Sequence, residues 1–316
     1  MPGAVRCVVT GCAGFVGSTL TDRLLRAGHT VAGVDNLSTG REEFLENARG
    51  TDRFSFHRAD LLQSERLHDV FAGAEIVFHL AANADLRFGT DHPTLDFEQN
   101  ARATLNVLEA MRVSGVRKIA FSSTGSVYGE AKEIPTPEFT AIPVQTSLYG
   151  ASKMAAEGFI EAYCEGFGMQ AWIFRFVSLM GERYTHGHVV DFFRQLREHP
   201  QRLHVLGDGS QRKSYLYVGD CIDAMLIAIE RATAKVNVLN LGQDSYCTVN
   251  ESISWISAAV GVKPELTYSG GDRGWIGDNP FIFLDCAAMR SYGWQPTMTI
   301  REAVVRTVRW LEENGA

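Results

Sequence analysis

The segment VVTGCAGFVG, residues 8–17, constrains this chain more than any other stretch. It places Gly11, Gly14 and Gly17 between a β-branched run, VRCVVTG, and a helical pattern in which Leu20, Leu24 and Leu25 share a face and Gly28 supplies the stop. Glycines at such a junction let the chain turn sharply. They also let backbone N–H groups approach a pyrophosphate at the helix N-terminus, where the helix dipole favours an anion. A plain tight turn would use the same residues, so the next strand-like run, TVAGVDN, matters. It ends at Asp35, about twenty residues past the loop, where a carboxylate can accept hydrogen bonds from an adenosine ribose diol. A carboxylate there repels a 2′-phosphate, so the pairing favours NAD over NADP; the alternative is a turn residue at a strand end.

The first half of the chain alternates strand and helix patterns. FSFHRAD, EIVFHLAA and KIAFSST read as further strands, and QNARATLNVLEAMRVSG reads as a helix ending at Gly115. This alternation predicts an α/β fold, a Rossmann-type doubly wound parallel sheet with helices on both faces. Beyond about residue 175 the pattern loosens. GDGSQRKS is turn-rich, VGDCIDAMLIAIERA is a helix with Asp220 as its expected cap, KVNVLNLG is a strand, and TVNESISWISAAVG is another capped helix. YSGGDRGWIGDNP is a Gly-rich loop before the closing TIREAVVRTVRWLEENG. The expected organisation is a nucleotide-binding domain over 1–175, to which later segments return, and a smaller α/β C-terminal substrate lobe over 176–316, with a cleft between them.

The 316 residues are 45% hydrophobic and 21% charged, enough for a packed core. A net charge of −7 argues against a nucleic-acid or anionic-membrane surface, so an anionic ligand must be held by a few local cations. No apolar run approaches the length of a membrane span, and the opening MPGAVRCVVTG has no apolar signal core. Cys7, Cys12, Cys164, Cys221, Cys247 and Cys286 are scattered without a CxxC pair, which suits buried thiols in a reducing compartment. The expected setting is cytoplasmic.

TSLYGASKMAAE puts Tyr149 and Lys153 four apart, on one face of a helix. An ammonium there favours phenolate, and a tyrosine so tuned can act as general base on a hydroxyl. Two exposed helix residues would carry the same spacing. At this point the chain resembles the extended short-chain dehydrogenase/reductase family, specifically its NAD-dependent nucleotide-sugar epimerases and dehydratases. The matching elements run in order: TGCAGFVG, DNLSTG (35–40), Asp60-Leu61, HLAANAD (79–85), FEQNARAT (97–104), FSSTGSVYG, YGASK, FRFVSLMGER (174–183), GDGSQRKSYLYVGD (207–220) and NLG (240–242). They cover nearly the whole chain.

The resemblance implies roles. Gly11, Gly14, Phe15, Val16 and Gly17 would line the pyrophosphate. Asp35, Asn36, Ser38 and Gly40 would hold the adenosine side, Asp60 and Leu61 would border adenine, and Leu80, Ala81 and Ala82 would border the cofactor ribose. Asn100 would support the Tyr149–Lys153 region, Lys153 would also bind the nicotinamide ribose, and Ser122 would be a wall residue. Thr124 matches the hydroxyl that bonds the substrate 4-hydroxyl and shares its proton with Tyr149; Ser123 would touch the sugar. The family's 4,6-dehydratases carry an Asp-Glu pair directly after that threonine, and here those positions are Gly125 and Ser126. The missing carboxylates disfavour dehydration and leave a 4-epimerase as the expectation.

Arg212 and Arg273 match the arginines that clamp a substrate diphosphate, with Asp278 on the nucleotide ribose. Ser178 replaces an asparagine that normally approaches the sugar. A hydroxyl there can donate to a C6 carboxylate, and Thr185, His186, His188 and Arg194 lie just downstream. UDP-glucuronate/UDP-galacturonate is therefore placed ahead of UDP-glucose/UDP-galactose. The alternative is that Ser178 only relaxes packing. His186 and His188 lack a third ligand, so no metal is expected. A decarboxylase or dehydratase and a non-catalytic NAD sensor remain as competing readings. The resemblance also implies a homodimer, with 101–113 and 150–166 as candidate interface helices.

Overall fold

The computed structural model describes residues 3–63, 67–83, 92–141, 144–274 and 281–315. The glycine loop leaves the first strand, β1 (Arg6–Thr10), of a seven-stranded sheet. Its companions are β2 (Thr30–Asp35), β3 (Phe54–Arg58), β4 (Ile76–His79), β5 (Lys118–Thr124), β6 (Gln170–Phe176) and an edge strand, Val236–Leu241. The spatial order is edge strand, β6, β5, β4, β1, β2, β3, and every neighbouring pair is parallel.

The inner strands are buried on both faces, which is why β1, β2 and β4 are largely apolar runs. Cys7, Val9, Ile76, Phe78 and Ala120 point into one core, together with Leu20 and Leu24 of helix α1 (Phe15–Arg26) and Cys221 and Met225 of the Val218–Arg231 helix. Val8, Val77, Ile119 and Phe121 point the other way, against the Ala103–Ser114 and Leu148–Phe167 helices. A third core belongs to the C-terminal region. There Val190, Phe193, Ile253, Ile256, Val304 and Val308 pack three helices, His188–Glu198, Val249–Val260 and Ile300–Glu313.

Strand order reverses between β1 and β4, whose ends Thr10 and His79 are in register. Loops leaving a parallel sheet at such a reversal diverge and open a crevice. The glycine loop and the segment after His79 face each other across it.

Two helices begin as their sequences suggest. Thr248 with Glu251 and Thr299 with Glu302 each form a complete capping box. The expected cap at Asp220 is corrected: the helix starts at Val218, and Asp220 lies inside its first turn. Its buried carboxylate instead accepts the Thr297 and Met298 N–H groups at 3.0 and 3.2 Å and the Thr297 hydroxyl at 2.6 Å. The helix expected to end at Gly115 is also not uniform. Phe97–Arg102 is a π-turn, and regular α-helix runs only over Ala103–Ser114, closed by Gly115 at φ 77°. All six cysteines are free and buried, and no helix among the described residues is long and apolar enough to cross a membrane.

Candidate active site

The glycine loop is built for close approach. Gly11 sits at φ 71°, and a Cβ there would stand 2.7 Å from the Ala81 nitrogen. A Cβ on Gly17 would stand 1.9 Å from the Gly11 carbonyl oxygen. Gly14 caps α1 with no side-chain bond, and the first turn holds no acidic residue. The helix therefore presents open N–H groups and an unopposed positive dipole end at the crevice. These features fit a pyrophosphate.

Asp35 closes the far side. Its Oδ2 accepts the Ala13 N–H at 2.9 Å and its Oδ1 the Leu37 N–H at 2.8 Å, while burial raises its carboxyl above the usual range. Gly40 leaves room for that carboxylate, since a Cβ there would lie 2.8 Å from Oδ1. Asn36 donates to Asp60 at 3.3 Å and accepts the Ser38 N–H at 2.9 Å. The Leu61 carbonyl accepts from Asn106 at 2.8 Å. The structure thus brings Asp35, Asn36, Ser38, Gly40, Asp60 and Leu61 together at the ends of β2 and β3. Leu80, Ala81 and Ala82 line the crevice beside Gly11, and Phe15 and Val16 begin α1.

The Leu148–Phe167 helix, capped by the Ser147 hydroxyl, carries the tyrosine and lysine on one face. Lys153 is 1% exposed; its Nζ donates to the Ser122 carbonyl at 2.8 Å and lies 4.7 Å from the Phe121 ring centre. Burial pulls the ammonium down to about 7, and the charges of Glu157 and Asp96 act against that pull. Burial pushes the Tyr149 phenol up, a hydrogen bond with Thr124 pulls it down, and Asp96 pushes it up again. Thr124 also shapes the chain that follows it. Its Oγ1 accepts the Ser126 N–H at 3.1 Å and caps the turn Gly125–Tyr128. Gly125 opens that turn in a tight place, where a Cβ would meet Ile282 at 2.9 Å and the Phe176 carbonyl at 3.3 Å. A carboxylate side chain does not fit there without displacing both.

Asn100, inside the π-turn, accepts the Asn83 N–H at 3.0 Å and donates to the Ser152 hydroxyl at 2.9 Å. Ser152 in turn donates to the Tyr149 carbonyl at 2.8 Å. One side chain thus joins the crevice wall to the helix that bears the tyrosine. Below it, the His79 ring spans Thr10 at 2.8 Å and Thr104 at 2.9 Å, and burial with the nearby Lys153 charge keeps it neutral, down at about 3.

Of the expected sugar contacts, Ser123 is placed differently. Ser123 is 2% exposed and donates to Glu157, so its hydroxyl is turned to a buried carboxylate and away from a sugar. Arg273 is exposed and paired with Glu130 at 2.6 Å, which links its loop to the segment after Thr124. Arg212 is exposed and lies 4.1 Å from the Phe281 ring centre and 5.6 Å from that of Tyr246. Strand alternation sends its neighbour Lys213 to the other side, half-buried, where its charge acts on His188. Ser178 is exposed at the start of a short strand that pairs with Tyr215–Tyr217. Asp278 lies outside the described residues. His188 is buried, stacked on Tyr215 and bonded to Ser252 at 2.8 Å; among the described residues no group of side chains could hold a metal ion.

Sequence reading passed over Glu157, Arg175, Asp96 and His79. The available signals were Glu157 four residues after Lys153 and Asp96 four before Asn100, each one helical turn from a named residue.

A parallel doubly wound sheet with an uncapped glycine loop at its reversal, an acidic residue closing β2 and a buried Tyr-Lys pair defines a nucleotide-cofactor enzyme of the Rossmann type. The chain belongs to the NAD dependent epimerase/dehydratase family, whose model matches residues 7–242. It is similar to the UDP-glucose 4-epimerase of Mycolicibacterium smegmatis, 34% identical and covering 98% of this chain and 100% of that protein. It is also similar to the UDP-glucuronate 4-epimerase of Thermodesulfobacterium geofontis, at 27%, covering 97% and 96%. The crystal structure of Thermus thermophilus UDP-glucose 4-epimerase complexed with NAD superposes with a TM-score of 0.85 at 32% identity, covering 97% of this chain and 99% of that one. NAD is the cofactor.

Proposed function

We propose that this chain is a UDP-hexose 4-epimerase. The observation that carries the reading is the Thr124–Tyr149–Lys153 group followed by Gly125 and Ser126, which carry no carboxylate. It provides one proton acceptor and donor for a secondary alcohol and no carboxylate at the position an elimination would need. Gly11, Gly14, Gly17 and the N-terminus of α1 would hold the pyrophosphate of NAD+ and Asp35 its adenosine ribose, and the bound cofactor would supply reversible hydride chemistry at C4 of the sugar.

The chain's own part is proton management. Thr124 and Tyr149 take the 4-hydroxyl proton together, and Lys153 supplies the positive charge that makes a phenolate tolerable in a buried place. The proton goes back when the 4-keto sugar has turned within the cleft. A side chain that both receives and returns the proton suits a reaction with no net oxidation.

Two features bear on the sugar. The Ser178 hydroxyl supports a C6 carboxylate, which places UDP-glucuronate first. The greater similarity to the Mycolicibacterium enzyme supports UDP-glucose. Arg212, Lys213 and Arg273 are the candidate cations for the diphosphate. Purified protein is incubated separately with UDP-glucose and UDP-glucuronate, and C4 configuration is followed by NMR. Inversion of C4 without loss of water or CO2 is expected. Equal kcat/KM for both sugars would remove the role given to Ser178, and a dehydrated or decarboxylated product would overturn the 4-epimerase assignment. We further assign the chain as a homodimer through the Ala103–Ser114 and Leu148–Phe167 helices, on which Val113, Phe159 and Phe167 are exposed; sedimentation at monomer mass would refute this.

A further inference from the structure

Behind the Tyr149–Lys153 pair lies a buried ion pair that the proton route above does not use. Glu157 follows Lys153 by one turn on the same helix, and its side chain is 4% exposed. Arg175, near the end of β6, grips it through two bonds, Nε to Oε1 at 3.1 Å and Nη2 to Oε2 at 2.6 Å. Ser123 of β5 donates a third bond to Oε1. The guanidinium is itself held. Its Nη1 donates to the Tyr128 hydroxyl and to the Glu138 carbonyl, both at 2.9 Å, and Tyr128 donates to Asn240 of the edge strand at 2.8 Å. Three strands and the turn after Thr124 therefore fix one carboxylate.

We propose that Glu157 is a positioning residue for the catalytic ammonium: anchored on its far side by Arg175 and Ser123, it presents a fixed negative charge to Lys153 and keeps that buried side chain cationic. The inference rests on the reading of Tyr149 and Lys153 given above. A fully buried ammonium loses its proton unless negative charge lies close. Ser122 offers Lys153 only a neutral carbonyl and Phe121 only a ring face. The titratable groups that face it are Glu157 on its own helix, Asp96 on the short Pro93–Asp96 helix, and His79 on β4, which stays neutral. Of the two carboxyls, Glu157 acts the more strongly.

Asp96 is held less firmly: burial raises its carboxyl, and its Oδ2 has no hydrogen-bond partner among the described residues. Glu157 is instead fixed by two bonds from the Arg175 guanidinium, which is charged at every working pH, and one from Ser123. A free carboxylate in this position would draw the ammonium into a direct pair and away from Tyr149. A carboxylate already bonded on its far side acts through its charge and leaves Lys153 where it stands.

The test compares wild type with Glu157→Gln and with Glu157→Gln/Arg175→Gln; the second removes the guanidinium together with the carboxylate, so Arg175 is not left buried without its partner. Nitrogen NMR titration of the lysine side chains, with Lys153→Met for assignment, should show Lys153 losing its proton at lower pH in both variants. The alkaline limb of kcat/KM should move the same way by roughly one pH unit, about tenfold in rate on that limb. A clamp that serves folding alone would lower the melting temperature and leave the Lys153 titration in place, and that result overturns the proposal. The NMR arm decides whether or not the wild-type protein epimerises a UDP-sugar; failure of epimerisation counts against the reaction assignment alone.

Discussion

Burial raises the proton affinity of Tyr149 and lowers that of Lys153, so each side chain is driven toward its neutral form. A working pair needs the opposite. Thr124 supplies the counterweight for the phenol, and Glu157 and Asp96 supply it for the ammonium. Tyr149→Phe removes the phenol that carries the proton, so kcat should fall roughly 10²–10⁴-fold while NAD+ binding persists. Cofactor titration beside a steady-state assay checks this; full activity in the variant would sink the role of Tyr149. Lys153 also leaves a stability signature. Its pKa falls from an ordinary 10.5 to about 7 on folding, so between those values the unfolded chain binds more protons than the folded one. Stability contributed by this group must then rise with pH across that window. Urea midpoints of wild type relative to Lys153→Met should climb from about pH 7 to about pH 10; a flat difference would contradict the burial argument. Tyr149 and Lys153 were legible because both lie on one helical turn and each has its own chemistry. Glu157 was not, because what fixes its role are Arg175 and Ser123, 18 and 34 residues away in sequence.

Among the elements, the glycine loop shows how a short motif dictates geometry. Gly17 stands where a Cβ would press to 1.9 Å from the Gly11 carbonyl, a contact between backbone and side chain that no rotamer can relieve. Gly17→Ala must push α1 away from β1. That takes the helix N-terminus from the pyrophosphate and costs about 1–3 kcal/mol in stability. Isothermal titration with NAD+ and thermal unfolding should both register it, and unchanged affinity would show that the loop does not hold the cofactor as described. The inner strands of the sheet were legible for a related reason: burial on both faces demands apolar runs, as in β1 and β4. The π-turn at Phe97–Arg102 was illegible. One extra residue in a helical turn leaves the apolar spacing of VLEAM intact, and the device shows only in where Asn100 ends up, between Asn83 and Ser152.

For the whole molecule, the question is how the C-terminal core is held to the sheet. KVNVLNLG reads plainly as a strand, yet its seat beside β6, with Val236 opposite Ala171, is set by a parallel crossover that local pattern cannot encode. Asp220 makes the same point from the other side. As a cap it would have been a local device; as found, it binds Thr297 and Met298, and its carbonyl accepts the Trp294 indole N–H at 3.0 Å. That segment leads directly into the Ile300–Glu313 helix of the third core, so Asp220 ties the core to a helix packed on the sheet. Asp220→Ala removes both acceptor oxygens and leaves the buried Thr297 and Met298 N–H groups unsatisfied. The expected loss is about 1–3 kcal/mol in denaturant unfolding. Asp220 makes no hydrogen bond to the glycine loop, so NAD+ affinity should hold, while KM for the proposed UDP-sugar should rise as the third core loosens from the sheet. Parallel losses of NAD+ and sugar binding would instead mean that Asp220 supports the whole sheet.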